Sequence, residues 1–186
     1  MYKNKAFFVD RDGVIIKDVP YLNTIHGIEF LPGVKNAIKT INKSGYKCII
    51  ITNQSAIARG IASLEEVYSI HRYIRESLQR DGAIVDAIYF CPHLLGAKVS
   101  KYAINCNCRK PRSGMFYKAA KEHKVDLANS IMVGDKRSDI VAGGRVGCKS
   151  FQLYKSNMHR GQWVTFMSLL EVVNFVLYSE YDGLPP

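Results

Sequence analysis

Short apolar runs and longer stretches of helical period alternate along the chain. The runs at about residues 5–10, Tyr46–Ile51, Ile84–Phe90, Ile131–Gly134 and Cys148–Leu153 predict five strands. Cys48-Ile49-Ile50-Ile51 has no polar interruption, the pattern of a parallel strand covered on both faces. Between the strands, Pro32-Gly33 opens a helix to about Lys43 that places Val34, Ala37, Ile38 and Ile41 on one face. Ser63 followed by Glu66 is a capping-box signature for a helix to about Arg80. Further helices are predicted from Ser113 to about His123, over 137–145, and from Val164 to Tyr178. Two segments show no clean period. The first, from Asp18 to Gly27, predicts a short hairpin or flap beside the end of the first strand, and the second, Cys91 to Pro111, a long loop. The alternation predicts one α/β domain over 1–186: a three-layer α/β/α sandwich on a mostly parallel, Rossmann-like sheet, with functional loops at the strands' C-terminal ends and a frayed tail at 183–186.

At 47% hydrophobic and 23% charged residues, the composition is that of an ordinary globular protein. No apolar run approaches the roughly 20 residues that span a bilayer, and the N-terminus leads straight into a strand, so a cytoplasmic protein without a membrane partner is expected. The 26 Lys+Arg against 16 Asp+Glu leave a net charge of +10, which favours an anionic partner. Charge alone does not choose among nucleic acid, a membrane surface and a phosphorylated metabolite, but the scatter of the basic residues weakens the nucleic-acid reading.

The candidate chemistry sits where the strands end. Asp10-Arg11-Asp12-Gly13 closes the first, Thr52-Asn53-Gln54-Ser55 the second, and Asp135-Lys136 with Asp139 the fourth, while Arg109-Lys110 lies in the loop before it. Two carboxylates this close repel unless they share a cation or a proton. Read alone, the pair is first an N-cap or Asx-turn at a strand end, while for Arg109-Lys110 the solvated basic pair is the lesser reading. Cys91-x-His93 and Cys106-x-Cys108 supply the ligand number and mix of a closed tetrahedral structural Zn²⁺ site. That metal would hold a loop otherwise poor in apolar side chains. Cys48 and Cys148 sit in apolar runs and are expected in the core. His71, His123 and His159 have no evident partners and are expected in solvent.

Asp10-Arg11-Asp12-Gly13-Val14, Thr52-Asn53-Gln54-Ser55, Lys110-Pro111 and Gly134-Asp135-Lys136-Arg137-Ser138-Asp139, in this order, resemble the haloacid dehalogenase (HAD) superfamily of phosphatases. The segments 52–60 and 91–111 narrow the resemblance to the branch of heptose bisphosphate phosphatases and histidinol-phosphatase domains. The resemblance implies a HAD-type sheet without a large cap domain and Mg²⁺-dependent hydrolysis of a phosphomonoester through an aspartyl-phosphate. It makes Asp10 the nucleophile and Asp12 the general acid and base. Mg²⁺ would be held by Asp10, Asp135 and the main chain of Asp12, with Lys136 contributing its backbone or ammonium and Asp139 in support.

Thr52, Asn53 and Lys110 would bind the phosphoryl group and Arg109 would fork onto substrate oxygens. Asp18, Val19, Pro20 and Tyr21 would line the sugar site with Gln54 and Ser55 nearby. The substrate implied first is a heptose bisphosphate, with histidinol phosphate and a 3′-phosphorylated nucleic acid as alternatives, and the chain is expected to act as a monomer. Two positions depart from the pattern: Ala56 stands where relatives often carry Gly, and Arg137-Ser138 adds positive charge near the metal.

Overall fold

A computed structural model describes residues 2–154 and 166–179. Five parallel strands, β1 (Ala6–Val9), β2 (Lys47–Asn53), β3 (Ala87–Cys91), β4 (Ile131–Gly134) and β5 (Lys149–Gln152), pair in the order β3-β2-β1-β4-β5. The order reverses between β1 and β4, and the crevice at the C-terminal ends there is where open α/β sheets place their ligands.

Strand alternation divides the core into two faces. Phe7, Val9 and Ile50 point into a cluster with α1 (Val34–Lys43), α3 (Leu64–Arg80) and α6 (Leu169–Ser179). Ala6, Phe8, Ile49 and Ile51 point the other way, onto α4 (Gly114–His123) and α5 (Arg137–Gly144). Helices on both faces cover the central strands, which is why β2 is buried from Cys48 to Thr52 without polar alternation.

The predicted caps and faces form. Ser63 Oγ accepts from Glu66 N at 3.1 Å while Glu66 Oε2 accepts from Ser63 N at 2.6 Å. Val34, Ala37, Ile38 and Ile41 of α1 are all buried. The flap is a short antiparallel contact: Ile16 bridges Phe30, and Lys17 N donates to Glu29 O at 2.9 Å. Cys48 and Cys148 are core residues, as expected.

Several boundaries differ from the sequence reading. β3 begins at Ala87 rather than Ile84, because the Asn42 side chain takes both backbone groups of Ile84, donating to its O at 3.0 Å and accepting from its N at 2.8 Å. An unexpected turn of helix, α2 (Ala56–Arg59), follows β2. Ala56 opens it in ordinary helical backbone, where Ala is the better residue and Gly is not needed. α6 starts at Leu169, with Ser168 Oγ accepting from Glu171 N at 3.2 Å, a second Ser-x-x-Glu cap that apolar period alone did not reveal. Residues 164–165 of the predicted helix, His159 and the 183–186 tail lie outside the described residues.

No large cap interrupts the fold among the described residues, since only α2, α3, β3 and the Cys/His loop lie between β2 and α4. No helix among them is long and apolar enough to cross a membrane.

Candidate functional site

β1 delivers Asp10 and Asp12 to the crevice. Asp10 N still donates to Val133 O at 2.9 Å, so the ladder holds the backbone up to the first carboxylate, and Gly13 turns the chain away in left-handed backbone at φ 76°. A Cβ on Gly13 would run into the Asp135 carboxylate. Glycine there lets β1's loop close on the loop after β4.

Asp10, Asp135 and Asp139 bring carboxylate oxygens within 4.8 Å of one another. Lys110, fully buried, answers them from the opposite loop. Its ammonium donates to Ile51 O at 2.7 Å and forms ion pairs with Asp10 Oδ1 at 3.0 Å and Asp139 Oδ1 at 2.7 Å. Burial would push Lys110 down, but Asp10 and Asp139 outweigh it and hold the ammonium above its usual value. Three carboxylates against one buried ammonium leave a surplus of negative charge. Burial pushes Asp135 up to about 6, with Lys136 opposing and Asp10 adding to the rise, and buried Asp135 Oδ1 has no hydrogen-bond partner. An orphaned carboxylate oxygen in an all-oxygen cluster fits a hard divalent cation such as Mg²⁺.

Asp12 lies beside this cluster rather than in it. Arg11 Nε donates to its Oδ1 at 3.0 Å, and Arg11 Nη2 and Gln54 Nε2 donate to its Oδ2 at 3.0 and 2.9 Å. Burial raises its pKa although Arg11 pulls it back in part.

The other predicted residues divide between those at the crevice and those that build it. Thr52 Oγ1 accepts from Gln54 Nε2 at 2.9 Å and keeps its own proton to donate. Asn53 is committed elsewhere: its amide donates to Lys110 O and accepts from Lys110 N, both at 3.0 Å, so its side chain pins the lysine's peptide. Gln54 is buried in the Asp12 network instead of lining a sugar site, and Ser55 is the N-cap residue of α2. Arg109 Nη1 donates to His93 O at 3.1 Å, which ties that arginine to the Cys/His loop.

Asp18, Pro20 and Tyr21 are exposed on the flap with Val19 half-buried. Asp18 Oδ2 meets Lys136 Nζ at 3.3 Å, and Tyr21 packs under the Arg59 guanidinium at 5.6 Å. An ammonium has no lone pair to give a metal. Lys136 therefore does not join a magnesium shell through its ammonium, which corrects that part of the expectation, and its N–H is given to Asp139 Oδ2 at 3.0 Å.

Cys91, His93, Cys106 and Cys108 converge as predicted: their ligand atoms all lie within 4.8 Å of one another, and Cys91 Sγ is 3.1–3.7 Å from those of the other three. Bonds of about 2.3 Å to a tetrahedral ion would set sulfur–sulfur edges of about 3.8 Å. Cys91 and Cys108 lie close enough to share one proton, so the hydrogen bond between them lowers the pKa of one thiol, Cys108, and raises that of the other. The loop thus presents thiolate character to a cation. Gly114 N donates to Asn107 O at 2.9 Å and anchors the Cys106–Cys108 turn on α4.

Two residues were missed. Arg11 is 2% exposed and His71 6%, and they meet at 3.2 Å. His71 was expected in solvent, but Val67, Ile70, His71, Ile74 and Leu78 share the buried stripe of α3, and that spacing was the signal that could have found it. His123 is half-buried against Tyr89.

Comparison with known proteins agrees with this arrangement. A HAD-hydrolase-like family model matches residues 107–168. The D-glycero-beta-D-manno-heptose-1,7-bisphosphate 7-phosphatase of Haemophilus influenzae is 42% identical over 146 residues, 78% of each chain. The protein of the same name from Helicobacter pylori strain 26695 is 36% identical over 179 residues, 95% of this chain and 99% of that one. Among solved structures, the D,D-heptose 1,7-bisphosphate phosphatase of B. bronchiseptica, complexed with magnesium and phosphate, superposes with a TM-score of 0.80 at 29% identity, over 94% of this chain and 99% of that one. With the carboxylate crevice, the HAD-type sheet and relatives matched over most of their length, the chain belongs to the HAD-like phosphatases, in the branch of the heptose-1,7-bisphosphate 7-phosphatases.

Proposed function

We propose that this chain removes the 7-phosphate of D-glycero-D-manno-heptose 1,7-bisphosphate through an aspartyl-phosphate on Asp10. The observation that supports it most is the buried Asp10–Lys110–Asp139 cluster beside a separately held Asp12, which gives two neighbouring carboxylates unlike environments. Asp10, fixed by Lys110 and by Arg11 N–H at 2.8 Å, attacks phosphorus. Asp12, raised by burial, gives its proton to the leaving sugar oxygen and takes one from the water that cleaves the acyl phosphate. Thr52 donates to a phosphoryl oxygen, and Arg109 meets the substrate from the other side. Magnesium, held by Asp10, Asp135 and the main-chain carbonyl of Asp12 with Asp139 behind them, would neutralise the phosphoryl oxygens. Asp18–Tyr21 and Lys136 line the sugar side.

The substrate choice rests on the names of the relatives, which favour heptose bisphosphate over histidinol phosphate and 3′-phosphorylated nucleic acid. Phosphate release from both anomers of the bisphosphate, from histidinol phosphate and from a 3′-phosphorylated oligonucleotide tests it. A bisphosphate is expected to be hydrolysed with the highest kcat/KM, and turnover no faster than that of a generic aryl phosphate would reject the assignment.

Zn²⁺ is proposed for the Cys/His loop on its donor chemistry, with a positioning role, because Arg109 and Lys110 follow Cys108 directly. Cys106→Ser is expected to release about one zinc per chain and to lower kcat/KM by roughly 10–100-fold, the range found when the support of a metal-site residue is removed. Metal analysis alongside kinetics checks both, and unchanged zinc content would reject the site.

A further inference from the structure

Arg11 is among the largest fully buried side chains of the described residues, and no step of the proposed reaction uses it. A guanidinium keeps its charge at any ordinary pH and offers five donors, so burying it needs a matching set of acceptors. The set here is specific. Nε and Nη2 fork onto the two oxygens of Asp12 at 3.0 Å each, Nη2 also reaches Gln54 Oε1 at 2.9 Å, and Nη1 lies 3.2 Å from His71 Nε2. Gln54 Nε2 then closes the ring on Asp12 Oδ2 at 2.9 Å.

The partners dictate the state of His71. Because the guanidinium only donates, Nε2 must accept, and a neutral ring then carries its proton on Nδ1. Burial, aided by the Arg11 charge, holds the His71 pKa down at about 3, in keeping with a permanent acceptor. The Phe90 ring, edge-on at 5.1 Å, fixes the imidazole plane. His71 belongs to the rigid α3, so its ring sets the rotation of the guanidinium, and the fork in turn sets the plane of the Asp12 carboxyl. A lysine at position 11 would supply charge without a plane. An arginine aimed by an acceptor from a separate helix supplies both.

We propose that Arg11, aimed by neutral His71, is a positioning residue that holds Asp12 in the geometry from which it passes a proton to the leaving oxygen. This rests on the reading of Asp12 as the general acid. Loss of positioning then acts on acid catalysis, and its signature is sensitivity to the leaving group: a sugar alkoxide needs a proton to depart, whereas p-nitrophenolate does not.

The test measures kcat/KM for the heptose bisphosphate and for p-nitrophenyl phosphate in His71→Leu, His71→Gln, Arg11→Lys and Asp12→Asn. In His71→Leu the sugar phosphate is expected to lose about tenfold or more, a part of what general acid catalysis supplies, while the aryl ester changes less than about threefold. His71→Gln, which keeps an acceptor near the Nε2 position, is expected to recover most of the loss. Arg11→Lys, which keeps the charge but not the fork, is expected to show the same selective loss and serves if His71→Leu does not fold. Equal falls for both esters in His71→Leu and Arg11→Lys, with Asp12→Asn still selective, would overturn the positioning role alone. Equal falls in Asp12→Asn itself would overturn the acid assignment, and the positioning role with it.

Discussion

Asp10→Asn is expected to lower phosphate release by on the order of 10⁴-fold or more, the scale seen when a nucleophile is removed, while the protein stays folded. The amide oxygen can still accept from Arg11 N–H and from Lys110, which now hold Asp10 Oδ1 at 2.8 and 3.0 Å. Only the negative charge and the nucleophile are lost. Three carboxylates crowd one buried ammonium here, so removing one anion relieves repulsion, and the thermal midpoint of the metal-free variant is expected to match or exceed that of the parent. Single-turnover phosphate release and thermal unfolding in chelator measure the two effects. Activity within tenfold of the parent would remove Asp10 from the nucleophile's role.

Lys110→Met should also be inactive but with the opposite effect on stability. Methionine fills much of the lysine's volume and leaves Asp10, Asp139 and Ile51 O without the ammonium that all three share. Breaking a buried charge pair from one side costs about 3–5 kcal/mol, because the partner charge stays buried without compensation. The Asn53 clamp acts on the peptide of residue 110 and survives the change, so the loop should keep its place while the crevice loses its cation. Urea unfolding without divalent metal reads the loss. A variant as stable as the parent would mean that Lys110 is not held against both carboxylates. The two substitutions together separate chemistry from stability at adjacent atoms.

Much of this site was legible because a parallel sheet buried on both faces gives nearly unbroken apolar runs, and the polar residues that stop each run mark its C-terminal edge. Asp10, Thr52 and Asp135 could be placed that way. The convergence of Cys91, His93, Cys106 and Cys108 was legible from spacing and chemistry. What could not be read was orientation. Asn53 looks like a phosphate donor until its amide is seen spanning the peptide of Lys110, a contact over 57 positions that no local pattern encodes. Arg11 lay in plain sight inside the motif, but its burial depends on an acceptor from α3 and an amide from the loop after β2. The start of β3 moved for a similar reason, a side chain from α1 replacing ladder bonds at Ile84.

The strand order has a consequence for how the chain becomes an enzyme. β1 precedes the other four strands in sequence and is the middle strand of the finished sheet, paired with β2 on one side and β4 on the other. Its second edge must wait for a partner far along the chain, as the 124-position span from Ala6 to Ser130 measures. Until β4 is made, Phe7, Phe8 and Val9 present an open apolar edge, and Asp10 has neither the Val133 carbonyl nor Asp135 beside it. Long-range parallel pairing of this kind is slow and exposes chains to aggregation. Catalytic competence therefore arrives late in biosynthesis, and fragments that stop before Ile131 would contain Asp10 without Val133 and Asp135 beside it.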